Sequence, residues 1–371
     1  MRSNRNAVIG QHRAKKLLQT AVHTRRLAHA YLFWGESGIG KDALAIAFAK
    51  TLLCLKQGEE ACGECASCKK VDLLQHPNLK LIFPLPGGDN EKSVDEDSFS
   101  NDVLGEIKKQ TAEKAKNPYL PINIPKAKFI RIKSIREIKK ESSLSNTEQG
   151  KKIFIIFDAE LMNDAAANSL LKILEEPLEG THFLLVTSRK DALKQTIISR
   201  CQLVQCSVLK SEKIAEALVQ RENVDKEKAQ YVARLANGNY LQALQLLHDD
   251  LNRCREDVLK FLRSVLGTSS LKLFQEQEEY FTGNKRDDAE QLLIMLLVWL
   301  RDAMVLREDS VTVFNKDQEA DLKSFLRKFG QKNLEQCLSV VERSLELLRR
   351  NVYLPLIMLS LTVNLKRILL K

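Results

Sequence analysis

Ala30-Tyr31-Leu32-Phe33-Trp34, followed by Gly35-Glu36-Ser37-Gly38-Ile39-Gly40-Lys41-Asp42, is the stretch on which the fold turns. An apolar pentad leads into a glycine loop, and a helical run, Ala43 to Leu53, follows. Strand, loop and helix in that order make a phosphate cradle. Gly35, Gly38 and Gly40 let the backbone curl so that N–H groups point inward. Lys41 adds a point charge, and the helix N-terminus adds its partial positive charge. The next residue breaks the pattern. A working loop carries Ser or Thr there, because the hydroxyl holds Mg²⁺. Here it is Asp42, whose carboxylate also repels a triphosphate. The loop has the right shape and a damaged metal seat.

Outward from the loop, the bulk numbers set bounds. A chain of 371 residues has room for two or three domains. Its 44% hydrophobic and 29% charged residues are ordinary for a globular protein. The net charge of +10 points to a polyanion among the partners, with nucleic acid the first expectation. No apolar run reaches about 18 uncharged residues, so no membrane span is expected. The polar start, Met1 to Asn6, lacks the apolar core of a signal peptide, which points to a cytoplasmic protein. The eight cysteines are then expected as thiols or metal ligands.

Cys54-x7-Cys62-x2-Cys65-x2-Cys68 has the paired spacing of tetrahedral zinc. Four protein sulfurs leave no open position, so the expected role is structural. His12, His23 and His29 have no metal spacing. His76 reads as a turn residue. Residues 84–126 break the alternation of strands and helices, with seven acids against one Lys between Asp89 and Glu106. The expectation there is a surface insertion, helical from Ser98 to Lys114 and otherwise loop.

Ala14 to Leu27 reads as an amphipathic helix. Phe129 to Ile132 reads as a strand, with Ser134 capping a helix from Ile135 to Leu144. Lys126 to Lys152 holds nine basic residues against three Glu, a DNA-facing or a solvated surface. Ile153 to Ile156 and Thr181 to Val186 read as buried parallel strands. Beyond Val208 the pattern is helical: 211–221, 226–236, 240–248, then Glu290 to Arg307 and Asn333 to Lys371, the last interrupted by Pro355.

Several of these segments together resemble bacterial clamp-loader AAA+ proteins, the gamma/tau and delta-prime subunits of DNA polymerase III. The resemblance rests on Val8-Ile9-Gly10-Gln11, Leu27 to Phe33, the loop at Gly35 to Lys41, the cysteine module, Asn168 to Pro177 and Ser199-Arg200-Cys201. It implies an α/β AAA+ parallel-sheet domain (1–208) with an inserted zinc module (54–68) and the insertion 84–126. A small helical lid (209–250) and an all-α C-terminal collar (251–371) follow. Ile9-Gly10-Gln11 would border the adenine pocket.

The resemblance also exposes departures. Counting back without a gap from Leu170-Leu171-Lys172, the Mg²⁺-binding Asp of active members falls on Phe157 and the water-activating Glu on Asp158. A one-residue shift would restore Asp158 as the metal ligand but put Ala159 at the base position, and either register loses a catalytic group. The second-sensor Arg falls on Leu241. Asp42 and these changes argue against ATP or ADP binding by this chain. Arg200, however, is where the family places an arginine that reaches into a neighbour's ATP site. The implied function is a non-catalytic ring subunit working with gamma/tau and delta subunits. It would help place the sliding clamp on primed DNA. The alternative is a catalytically active gamma/tau-type ATPase, which calls for Ser or Thr after Lys41 and Asp-Glu at 157–158. A zinc-dependent DNA-binding protein is the weaker third reading, for want of base-reading residues.

Overall fold

The structure is a computed structural model that describes residues 8–56, 58–86, 100–143, 150–177, 179–248, 251–267, 286–308, 319–349 and 352–370. The acidic stretch from Asp89 to residue 99 lies outside them. Two compact units divide the chain, residues 1–245 and 246–371.

The first unit is built on a five-stranded parallel sheet in the order β2-β5-β6-β1-β7. The strands are β1 (Ala30–Trp34), β2 (Leu79–Ile82), β5 (Lys152–Ile156), β6 (Thr181–Thr187) and β7 (Gln202–Gln205). β6 is buried at every position, because a parallel sheet is covered on both faces. Phe154 and Phe183 stack across β5 and β6, at 5.6 Å between centroids. Trp34 pairs with Thr187 on one side and Gln205 on the other. The loop after β1 therefore opens at the carboxyl ends of three neighbouring strands, where such sheets place their ligands.

α1 (His12–His23) precedes β1, and α2 (Lys41–Leu53) follows the glycine loop. α1 ends short of the expected Leu27, because Arg25 turns left-handed at φ 53°. α3 (Ala66–Asp72) lies within the cysteine module. α4 (Asn101–Lys116) is capped by the Ser100 hydroxyl, which accepts from Val103 N–H.

The expected strand at Phe129 to Ile132 is displaced. A short ribbon pairs β3 (Leu85–Pro86) antiparallel with β4 (Ala127–Phe129). Ile130 makes one bridge to Met162, and helix α5 (Ile132–Ser143) already starts at Ile132. Ser134 thus lies inside that helix rather than capping it, and the expected end at Leu144 falls outside the described residues. α6 (Asp164–Glu175) is capped by Asn163, whose side chain accepts from Ala166 N–H at 2.8 Å. The one-turn α7 (Gln195–Ile198) ends just before Arg200. α8 (Ser211–Glu222), α9 (Lys226–Leu235) and α10 (Tyr240–His248) match their sequence periods within a residue at each end.

The second unit is all-helical among its described residues: α11 (Leu251–Leu266), α12 (Arg286–Arg307), α13 (Glu319–Phe329), α14 (Leu334–Arg349) and α15 (Leu354–Leu370). α12 packs against α11, α13 and α14. That explains apolar residues on several of its sides: Leu293, Leu296, Leu300 and Ala303 are all fully buried. Pro355 sits in the first turn of α15, where its missing N–H has no helical acceptor to lose.

Candidate nucleotide site and metal centre

The glycine loop has the curled backbone that its composition implies, with φ of 72° at Gly38 and 97° at Gly40. Both are left-handed values that a side chain resists. Lys41 opens α2 and is buried, its ammonium donating to the Glu36 carbonyl at 2.5 Å. Burial pushes its pKa below the ordinary lysine value, against the attraction of Asp42, Cys206, Glu160 and Asp158.

Gln11 ties the rim together. Its side-chain amide donates to the Ile39 carbonyl at 3.1 Å and the Ser207 carbonyl at 2.7 Å, and accepts from Ser207 N–H at 2.9 Å. One buried side chain thus joins the N-terminal segment, the loop and the exit of β7.

The ends of β5 and β6 add the acidic side. Asp158 turns left-handed at φ 49° just after Phe157. Burial, with repulsion from Asp42 and Glu160, raises its carboxyl to about 7, against the pull of Lys114 and Lys41. Glu160 accepts from Ser188 N–H at 3.1 Å and lies 4.0 Å from Arg189 Nε.

The positions expected from the sequence to form the metal seat meet an unexpected partner. Lys114, from the last turn of α4, is fully buried and donates to Asp42 at 2.5 Å and to the Leu120 carbonyl at 2.7 Å. Its ammonium stands 4.4 Å from the centroid of the Phe157 ring. The expected surface insertion is therefore part of the interior here. Tyr119, Ile122 and Ile124 from the same segment are buried as well. Sequence reasoning missed Lys114 and Tyr119. The signals were an Asp in need of a counter-cation and the apolar run Pro118-Tyr119-Leu120-Pro121-Ile122 inside a polar segment.

The helical side closes over the loop. The Gly38 carbonyl accepts from Tyr240 N–H at 3.1 Å and Leu241 N–H at 3.4 Å. A Cβ on Gly38 would lie 1.8 Å from Asn239 Oδ1, so glycine is required for this approach. Leu241 thus meets the loop through its backbone, with no cation offered from that position.

Arg200 has no partner in the loop. Its guanidinium donates to the Thr196 carbonyl at 3.0 Å and to Glu175 at 2.9 Å, at the end of α6. The two side chains are 35% and 45% exposed, so this pair is worth at most about 1 kcal/mol.

The four cysteines do converge. The Sγ atoms of Cys54, Cys62, Cys65 and Cys68 all lie within 4.8 Å of one another, and Cys62 and Cys68 are 3.9 Å apart. Four sulfurs each about 2.3 Å from one tetrahedral ion stand about 3.8 Å apart, so the cluster can hold a metal ion with little adjustment. N–H groups of Glu64 and Cys65 lower the Cys62 thiol to about 6, and that of Cys68 lowers Cys65. Burial raises Cys68. The module is fixed to α2 by Ser67, which donates to the Leu53 carbonyl at 2.6 Å, and by the Lys50–Asp72 pair at 2.7 Å. His76 accepts from Asn78 N–H through Nδ1, as a turn residue does.

The family described as DNA polymerase III, delta subunit, matches residues 10–210. DNA polymerase III subunit delta' of Bacillus subtilis is 31% identical over 310 residues, which span 83% of this chain and 80% of that protein. Subunit delta' of Haemophilus influenzae is 25% identical over 323 residues, 85% of this chain and 83% of that protein. Subunit tau of Bacillus subtilis is 28% identical over 315 residues, 83% of this chain but 48% of tau.

Proposed function

The chain belongs to the delta-prime clamp-loader subunits of DNA polymerase III, and from that premise we propose that it serves the ring as a non-hydrolysing AAA+ member. One observation carries this reading: Asp42 and Phe157, which the ungapped count aligns with the Mg²⁺-holding positions of active members, both face the Lys114 ammonium. A phenyl ring gives a metal no ligand, and the carboxylate at the other of these two positions is already paired with Lys114. Nucleotide hydrolysis needs the metal to bridge the phosphates and take up developing charge.

The subunit contributes Arg200 to an ATP site on the neighbouring subunit. Its exposed, weak pair with Glu175 supports that role, because a triphosphate is the stronger acceptor and can draw the guanidinium away. The four cysteines bind one structural zinc, which fastens the module to the C-terminal end of α2. Residues 209–250 act as the lid and 251–371 as the collar that joins gamma/tau and delta subunits. In the cytoplasm, the assembled ring places the sliding clamp on primed DNA. No helix among the described residues is long and apolar enough to cross a membrane.

The test has two arms. The purified chain should show no steady ATP hydrolysis; turnover abolished by Lys41→Ala would instead favour the gamma/tau-type ATPase. In the reconstituted ring, Arg200→Ala should leave assembly intact and slow DNA-stimulated ATP hydrolysis by about 10³-fold at the served site. An unchanged rate would end the arginine-finger assignment.

A further inference from the structure

The segment 100–126 has a geometry that a surface insertion does not need. α4 is polar on its outer side, with Lys108 and Lys109 exposed, yet Lys114 is fully buried. Beyond α4 the chain folds back on itself. The Asn117 side chain accepts from Tyr119 N–H at 3.1 Å. Gln110 holds Asn123 by both backbone groups, accepting its N–H at 2.5 Å and donating to its carbonyl at 2.7 Å. These bonds press residues 117–124 toward the glycine loop.

Tyr119 is the centre of that contact. Its ring lies so close to Gly40 that a Cβ there would come within 2.7 Å of the phenol ring. Its oxygen accepts the Ile9 N–H at 2.7 Å. Its edge meets Tyr240 at 4.8 Å between centroids, and Arg221 lies 5.9 Å from the Tyr119 centroid and 5.7 Å from that of Tyr240. One phenol therefore touches the N-terminal segment, the phosphate loop and the first residue of α10. Lys114 meanwhile stands between Asp42 and Phe157.

We propose that residues 100–126 are a built-in occupant of this subunit's own nucleotide pocket. Lys114 stands where a divalent cation would sit, and Tyr119 fills the space through which a nucleotide would reach the loop. This rests on reading Gly35 to Lys41 as a degenerate nucleotide site, and it adds the physical agent that closes it. An incoming di- or triphosphate has to break the Lys114–Asp42 pair and then face a bare carboxylate. It also has to lift a buried ring off Gly40 and leave the Ile9 N–H without an acceptor. Substitution in the loop weakens binding, and the segment removes the room for it.

Two measurements test this. The first uses the wild-type chain: brief reductive methylation followed by peptide mass spectrometry. Lys114 should react at least about tenfold more slowly than Lys108 and Lys109 on the same helix, since a group reacts through its open fraction. Equal rates would overturn the proposal. The second titrates a fluorescent ADP without magnesium against the wild type and against Tyr119→Ala combined with Asp42→Ser and Lys114→Met, which removes the ring and both members of the ion pair together. A pocket open only part of the time binds more weakly by that fraction, so clearing it should tighten binding by at least about tenfold. A folded variant with no gain, or a wild type that already binds as tightly, would overturn the proposal. Should the variant not fold, the methylation result decides. The Arg200 assay reads the neighbour's site, so this proposal and the ring-subunit reading can fail separately.

Discussion

Exchanging Asp42 for Ser restores the hydroxyl of a working phosphate loop, yet here it should destabilise the fold. The Lys114 side chain is 0% exposed and that of Asp42 is 26% exposed. A buried charge stripped of its partner costs about 3–5 kcal/mol. Lys114 would keep the Leu120 carbonyl and the Phe157 ring, and water reaches part of the Asp42 position. The loss for Asp42→Ser is therefore smaller, about 2 kcal/mol. Lys114→Met should cost a similar amount by leaving the carboxylate alone. The double variant should be less destabilised than the two losses combined, with a coupling of about 2 kcal/mol. In a unit of 245 residues each kcal/mol moves the midpoint by about 2–4 °C, so Asp42→Ser lowers Tm by about 4–8 °C. Calorimetry on the four proteins measures the cycle. A coupling below about 0.5 kcal/mol, the worth of an exposed pair, would refute the buried-pair reasoning.

Asp158→Asn tests the acidic side. A carboxyl whose folded-state pKa is raised from 3.8 to about 7 holds its proton longer when folded. Stability then falls as pH rises from about 4 to about 7 and is flat above that. The variant should lose this slope and gain about 2 kcal/mol on the wild type across that window, half the full linkage value because Asp158 is partly exposed; parallel pH profiles would contradict it. Gln11→Ala removes three hydrogen bonds at the rim and should cost about 2–3 kcal/mol in chemical denaturation, whereas a loss under 0.5 kcal/mol would mean that water replaces them. Elemental analysis should find about one zinc per chain, with Cys65→Ser or a strong chelator releasing it and exposing the 54–68 module to protease; a metal-free wild type that is equally resistant would count against the zinc.

Local signals are legible in the sequence. The glycines, the apolar strands and the cysteine spacing each act over a few residues, so their chemistry is written where it operates. The three helices after residue 210 follow from period and caps, such as Asp225 accepting from Glu227 N–H at 2.9 Å. What escaped was carried by distance along the chain. Lys114 lies in a helix rich in Lys and Glu, where any single lysine reads as solvated; its partner Asp42 is 72 positions away. Asp42 announced only that something was missing. The strand expected at Phe129 to Ile132 failed for a related reason. Arg131 donates to the Pro86 carbonyl and Ile130 bridges to Met162, so tertiary partners halted a run that β-branched residues would otherwise extend.

The Tyr119 and Lys114 contacts also bear on the energy state of the cell. A motor protein that binds ATP gains folding stability from it by mass action, and loses that support as ATP falls. Here the supporting groups are covalently part of the chain. Their contribution is the same at any nucleotide concentration, so this protein would stay folded through starvation that loosens a motor protein dependent on bound ATP.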